Sequence, residues 1–172
     1  DENGQLVPEL ADSYEMSEDG MTYTFTMKDG LKWSDGEALD ANDVLYSWNR
    51  LADENTSADY SYLCSVFATK DDGTLDIEAS EDGKTFTAHL NAPCAYFPDL
   101  CAFPAFYPVP QQAVEAADGA DTNPGAWALE AGFVGSGPFV LTEWKHNESM
   151  TYEPNPNYWA ADKVSLTKIN FM

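Results

Sequence analysis

Met21-Thr22-Tyr23-Thr24-Phe25-Thr26-Met27 alternates strictly, with Tyr23, Phe25 and Met27 on one face and three threonines on the other. Side chains of a strand point to opposite faces at a period of two, so this stretch is a strand with one wet side. Ser17-Glu18-Asp19-Gly20, just before it, reads as a turn with glycine where a positive φ is needed, and Ser13-Tyr14-Glu15-Met16 supplies the returning strand. The unit is a β-hairpin. Nearly the same text recurs at Glu78-Ala79-Ser80-Glu81-Asp82-Gly83-Lys84-Thr85-Phe86-Thr87, where Phe86, Ala88 and Leu90 continue the apolar face. Two copies with different flanks are hairpin chemistry used twice, not a solenoid repeat. A third hairpin is predicted from Phe139-Val140-Leu141-Thr142-Glu143-Trp144, a turn through His146-Asn147-Glu148, and Ser149-Met150-Thr151-Tyr152-Glu153.

Helices lie between the hairpins. Asp40 is placed to cap a helix in which Val44, Leu45, Trp48 and Leu51 recur at helical spacing. Tyr60 to Phe67 and Tyr96 to Phe103 are shorter helical candidates, and Gln111 to Ala117 follows Pro110, which suits a first helical position. The expected fold class is α+β, a mainly antiparallel sheet of hairpins with several packed helices.

The 172 residues carry 30 Asp+Glu against 8 Lys+Arg, a net charge of −22. That length is one domain's worth of chain, and 44% apolar residues provide a core, so disorder is not expected despite the charge. The acidic excess runs along the whole sequence and repels nucleic acid and anionic membrane at long range. No stretch reaches the ~20 apolar residues of a membrane helix. The chain opens Asp1-Glu2-Asn3-Gly4 without Met or a signal core, and Val164 to Met172 alternates like a strand that stops without a partner. Both ends read as those of a fragment.

Chemistry is hard to place. Cys64, Cys94 and Cys101 fit no zinc spacing and read as three buried thiols, with one disulfide open as an alternative. Cys94 and Cys101 flank a helix-like stretch, two turns apart if it is continuous, so a bridge would have to involve Cys64. His89 falls on the polar face of the second hairpin and His146 in a polar turn, and both read as surface histidines. Gly135-Ser136-Gly137 is neither a nucleophile elbow nor a phosphate loop, and reads as a tight turn before Pro138. Asp71-Asp72-Gly73 to Asp76 lacks the ligand order of a calcium loop. No catalytic residue, metal ligand or cofactor site is assigned. The aromatic clusters Tyr60-Ser61-Tyr62, Tyr96-Phe97 and Phe103-Pro104-Ala105-Phe106-Tyr107-Pro108 suit either core packing or ligand capture.

Several motifs together resemble a known family. Pro8-Glu9-Leu10-Ala11-Asp12-Ser13-Tyr14-Glu15, Asp19-Gly20-Met21-Thr22-Tyr23-Thr24-Phe25 and Lys28-Asp29-Gly30-Leu31-Lys32-Trp33-Ser34-Asp35-Gly36 resemble the extracytoplasmic solute-binding proteins, family 5, of peptide-importing ABC transporters. Ala41 to Trp48, Phe103 to Pro110, Gly135 to Leu141 and Asn155-Pro156-Asn157-Tyr158-Trp159 continue the series in the family's order. The resemblance covers essentially the whole chain.

Members are much longer, with two ligand-clasping lobes and a smaller domain inserted in the first. The resemblance implies that residues 1–172 are a single α+β domain corresponding to that insert, with about 1–12 and 159–172 as strand stubs of the neighbouring lobe. It implies a non-catalytic auxiliary domain forming one wall of the cleft of an importer's binding component for oligopeptides or dipeptides. Implied partners are a peptide, in the full-length protein, and the ABC permease, with the fragment itself monomeric. The implied location is extracytoplasmic, periplasmic or lipid-anchored. The family's grip on peptide backbone and amino terminus is placed in the missing portion, so no such residue is carried over. Some members use a ring from the first aromatic segment, which makes Tyr60, Tyr62 and Phe106 the candidate ligand-facing rings. The loop Asp118 to Gly125 reads as longer than the family's usual link. Competing readings are a glycoside-hydrolase-like enzyme with an Asp/Glu pair and a purely structural or docking domain.

Overall fold

The computed structural model describes residues 3–118 and 122–172; Asp1 and Glu2, and residues 119–121 of the Asp118 to Gly125 loop, lie outside the described residues. The chain is mixed α+β with two antiparallel sheets, and its described residues group into two compact units, 3–29 with 40–109, and 30–39 with 110–118 and 122–172.

In the first unit, β1 (Ala11–Met16) and β2 (Thr22–Met27) form the first hairpin, and β3 (Ile77–Ala79) and β4 (Thr85–His89) the second. The hairpins join through β2 and β4, from Thr22 opposite His89 to Thr26 opposite Thr85, giving the order β1-β2-β4-β3. The repeated text folds into repeated geometry. Gly20 N–H donates to Ser17 O and Gly83 N–H to Ser80 O, each at 2.9 Å, with φ of +69° and +68° at the glycines. Asp19 Oδ1 accepts from Ser17 Oγ (2.6 Å) and Met21 N (3.0 Å), and Asp82 Oδ1 accepts from Ser80 Oγ (2.7 Å) and Lys84 N (3.1 Å).

Tyr23, Phe86, Ala88 and Ile77 point to the inner face and are essentially buried. Across them lies α1 (Ala41–Ala52), whose capping box places Asp40 Oδ1 2.7 Å from Asn42 N and Asp43 Oδ2 2.9 Å from Asp40 N. Ala41, Val44, Ser47, Trp48 and Leu51 face inward, whereas the expected core residue Leu45 is only half-buried. Ser47 takes an inner position because its hydroxyl is satisfied there, donating to Asp43 O (2.6 Å) and accepting from Val109 N (2.8 Å). Trp48 is the hub: its ring lies 4.8 Å from Phe86, 5.4 Å from Phe67 and 5.3 Å from Phe106, and its Nε1 donates to Phe106 O.

The Tyr60 to Phe67 candidate is a 3-10 helix, Ser61–Val66, and the Tyr96 to Phe103 candidate is the short α2 (Phe97–Cys101). Cys94 lies in the turn before α2, so it and Cys101 are not on one continuous helix; all three thiols are free.

In the second unit, α3 (Gln111–Ala116) begins one residue after Pro110, which is its cap rather than its first residue. The sheet is β5 (Phe139–Lys145), β6 (Ser149–Pro154) and β7 (Ile169–Phe171) in that order. The final strand, expected to lack a partner, pairs with β6, and it spans three residues because Val164 to Lys168 are not extended into the ladder. Residues 30–39 turn back on themselves at Gly36 (φ +96°), with Trp33 N–H donating to Glu37 O at 2.9 Å. Of the glycines expected to turn the chain before Pro138, Gly132 lies in a turn with a φ of +87°, while Gly135 and Gly137 keep ordinary φ. Gly135 instead lies against Ser34, accepting from Ser34 N at 2.9 Å and donating to Ser34 Oγ at 3.2 Å. Gly137 O accepts from the buried Asn155 Nδ2 at 2.9 Å.

Candidate functional site

The 3-10 helix after Tyr60 is held at its far end by Asn91, whose N–H donates to Val66 O (3.0 Å) and whose Nδ2 donates to Ser65 O (2.7 Å). Beneath it Phe67, Phe97 and Cys64 are buried. The two tyrosines of the segment lie outside this base. Tyr60 is 47% exposed and Tyr62 64%, their ring centroids 6.2 Å apart. Phe103, from the loop after α2, meets Tyr60 edge-on at 5.1 Å. Two phenols and a phenyl thus form an outward apolar surface with hydroxyl tips, suited to packing on a partner while donating hydrogen bonds at its edge.

Phe106 does not join that surface. Its ring is 2% exposed, packed against Trp48 and Phe67, because Phe106 N–H closes a turn on Phe103 O and swings the ring inward. Phe103, three residues earlier in the same aromatic run, is the ring that sequence reasoning did not single out; nothing in the Phe-Pro-Ala-Phe-Tyr-Pro pattern distinguishes the two.

Burial pushes the Cys64 thiol up to about 11 and the Cys101 thiol up to about 12, which leaves both protonated and poor nucleophiles. Asp19, Asp72 and Asp82 are each held below the ordinary carboxyl value, first by a hydroxyl of a nearby Ser or Thr and then by backbone N–H groups. That direction is opposite to the raised carboxyl a general acid needs. Asp72, in the segment considered for calcium, spends one oxygen on Thr74 Oγ1 (2.6 Å) and Thr74 N (3.0 Å). His146 is exposed, stacked on Trp144 at 4.4 Å and 3.5 Å from Glu130. His89 is half-buried on the polar sheet face, with Nδ1 3.2 Å from Thr22 Oγ1. Among the described residues, Asp76, Glu78 and His89 are the group whose metal-binding atoms converge, all within 4.8 Å of one another. Among the described residues no helix is long and apolar enough to cross a membrane.

Comparison with known proteins adds a consistent set of likenesses. The family model described as bacterial extracellular solute-binding proteins, family 5 Middle, matches residues 5–172. The chain is 37% identical over 178 residues to the oligopeptide-binding protein OppA of Bacillus subtilis, covering 99% of this chain and 32% of that protein. It is 34% identical over 174 residues to the dipeptide-binding protein DppE of the same organism, covering 95% of this chain and 30% of that one. The crystal structure of Haemophilus influenzae OppA in complex with RPPGFSPFR superposes with a TM-score of 0.87 at 30% identity, over 98% of this chain and 34% of that one. The chain therefore spans about a third of the length of the relatives it matches.

Proposed function

The chain belongs to the family 5 bacterial extracellular solute-binding proteins, and from that premise we propose that it is part of the substrate-binding component of an ABC importer for oligopeptides or dipeptides. In this reading it is a non-catalytic auxiliary domain that lines one wall of the cleft, with about 1–12 and 159–172 running into the neighbouring lobe. The protein acts outside the cytoplasm, in the periplasm or held by a lipid anchor, and hands its peptide to the permease; the domain itself is monomeric. The supporting observation is the outward ring set of Tyr60, Tyr62 and Phe103 on a rigid aromatic base, in a chain that superposes almost entirely on a peptide-bound relative. Phe106, the third candidate ring, contributes from beneath by holding that base.

The test is calorimetric titration of peptides into this chain joined to the remainder its relatives possess. Tyr60→Ala and Tyr62→Ala are each expected to weaken binding about 2- to 10-fold, the loss of about 0.5–1.5 kcal/mol per ring contact. Unchanged affinity in both variants would remove these rings from the cleft wall. Tight peptide binding by residues 1–172 alone would overturn the auxiliary role.

A further inference from the structure

The convergence of Asp76, Glu78 and His89 lies on the polar face of the first unit's sheet, away from the ring set's residues in sequence and element, and its role does not follow from peptide binding. It is built by register. Asp76 precedes β3 and stands opposite His89, whose N–H donates to Asp76 O at 3.0 Å. Glu78 is two residues on, so its side chain rises on the same face as Asp76, diagonal to His89. The opposite face carries Ile77 and Ala88 into the core, which prevents the strands from rotating these groups away. Thr22, paired with His89 on the other side, has its hydroxyl 3.2 Å from His89 Nδ1.

From these positions we propose that Asp76, Glu78 and His89 form a binding site for a divalent cation of the zinc class. Two carboxylates this close repel each other unless a positive charge lies between them. The ion pairs among the described residues give neither Asp76 nor Glu78 a Lys or Arg partner, and the nearest lysine in the loop, Lys70, donates to Ile77 O at 2.9 Å. One imidazole nitrogen with two carboxylate oxygens matches the borderline cations; calcium takes six to eight oxygens and magnesium a mostly hydrated octahedron. Around zinc at roughly 2.1 Å, tetrahedral ligand atoms sit about 3.4 Å apart. Atoms that lie within 4.8 Å of one another must therefore draw in by at most about 1.4 Å, which the exposed Glu78 side chain can supply by rotation. Three protein ligands leave a fourth position to water. In the proposed site Thr22 is a positioning residue: with the metal on Nε2, Nδ1 carries the proton and donates it to Thr22 Oγ1, 3.2 Å away.

The test is calorimetric titration of zinc chloride into the 172-residue chain in about 0.2 M NaCl, which suppresses diffuse attraction to the acidic surface, at about pH 7.5, where imidazoles are in general neutral. One equivalent of zinc is expected to bind, with no comparable binding of magnesium or calcium. His89→Gln and the pair Asp76→Asn with Glu78→Gln are expected to weaken it at least tenfold. Thr22→Val is expected to weaken it by about tenfold or more, and His146→Gln to leave it unchanged. Circular dichroism identifies any variant that has unfolded, and nuclear magnetic resonance of the unmutated chain reads the His89 ring directly, its nitrogen shifts moving with zinc. Absence of stoichiometric binding, binding that survives His89→Gln, or loss on His146→Gln would each overturn the assignment.

Discussion

Asp19 and Asp82 occupy equivalent places at the tips of two hairpins, and each carboxylate accepts from a serine hydroxyl and from the N–H two residues on. Both pKa values are lowered, so the folded state prefers the ionised form more than the unfolded chain does. The stability this adds is present above the unfolded carboxyl value of about 3.9 and is lost as pH falls through the lower folded values. Asp19→Asn with Asp82→Asn is therefore expected to lower the urea midpoint at pH 7 and to leave a smaller difference from the parent near pH 3; a gap that stays constant with pH would contradict this. These turns were legible because Ser-Glu-Asp-Gly places the serine hydroxyl, the accepting aspartate and the glycine of positive φ within four residues, and their remaining donors follow immediately in the chain. Phe106 was not, since which ring of an aromatic run turns inward is decided by Trp48 and Phe67, both remote in sequence. The same holds for Asp76, Glu78 and His89, which no spacing rule gathers because two strands and their register bring them together.

At the scale of elements, the second hairpin and α1 are built on each other. Gly83 O accepts from Ala41 N at 2.9 Å, and a Cβ added at Gly83 would stand 2.5 Å from Asp40 Oδ2, inside the capping box. At Gly20 the same addition meets Pro93 Cβ at 3.5 Å, an ordinary contact. Both glycines have positive φ, so the backbone strain of an alanine is common to the two and the difference isolates the cap. Gly83→Ala is expected to cost about 1 kcal/mol more than Gly20→Ala, the usual worth of an N-cap, by denaturant titration. In an Asp40→Ala background that excess should vanish; equal costs in the unmutated background would refute it. Helix α1 was readable from its cap and its apolar spacing. The 3-10 helix at Ser61–Val66 and the five-residue α2 lack a side-chain cap, and tertiary packing of Phe67 and Phe97 sets their bounds.

Over the whole molecule, a net charge of −22 with few basic residues leaves most carboxylates at the surface facing one another. Such self-repulsion destabilises a compact state and is screened by salt. Raising NaCl from about 0.01 M to 1 M shortens the screening length from about 30 Å to about 3 Å. The melting temperature is expected to rise, by about 2–4 °C per kcal/mol of repulsion relieved; a flat or falling melting temperature in calorimetry would count against it. Fold class was evident from three hairpins and a capped helix. The grouping of residues 30–39 with 110–118 and 122–172 was not, because it depends on contacts such as Ser34 with Gly135 that leave no local pattern.

The pairing of β2 with β4 has a kinetic corollary. Each hairpin closes a short loop and can form within microseconds, but Thr22 meets His89 across 67 positions of chain. Closing so long a loop has an entropic cost that must be met before the contacts it brings are gained. Local ribbons are therefore expected to precede the joined sheet, whose closure is among the long-range encounters that slow the folding of the first unit.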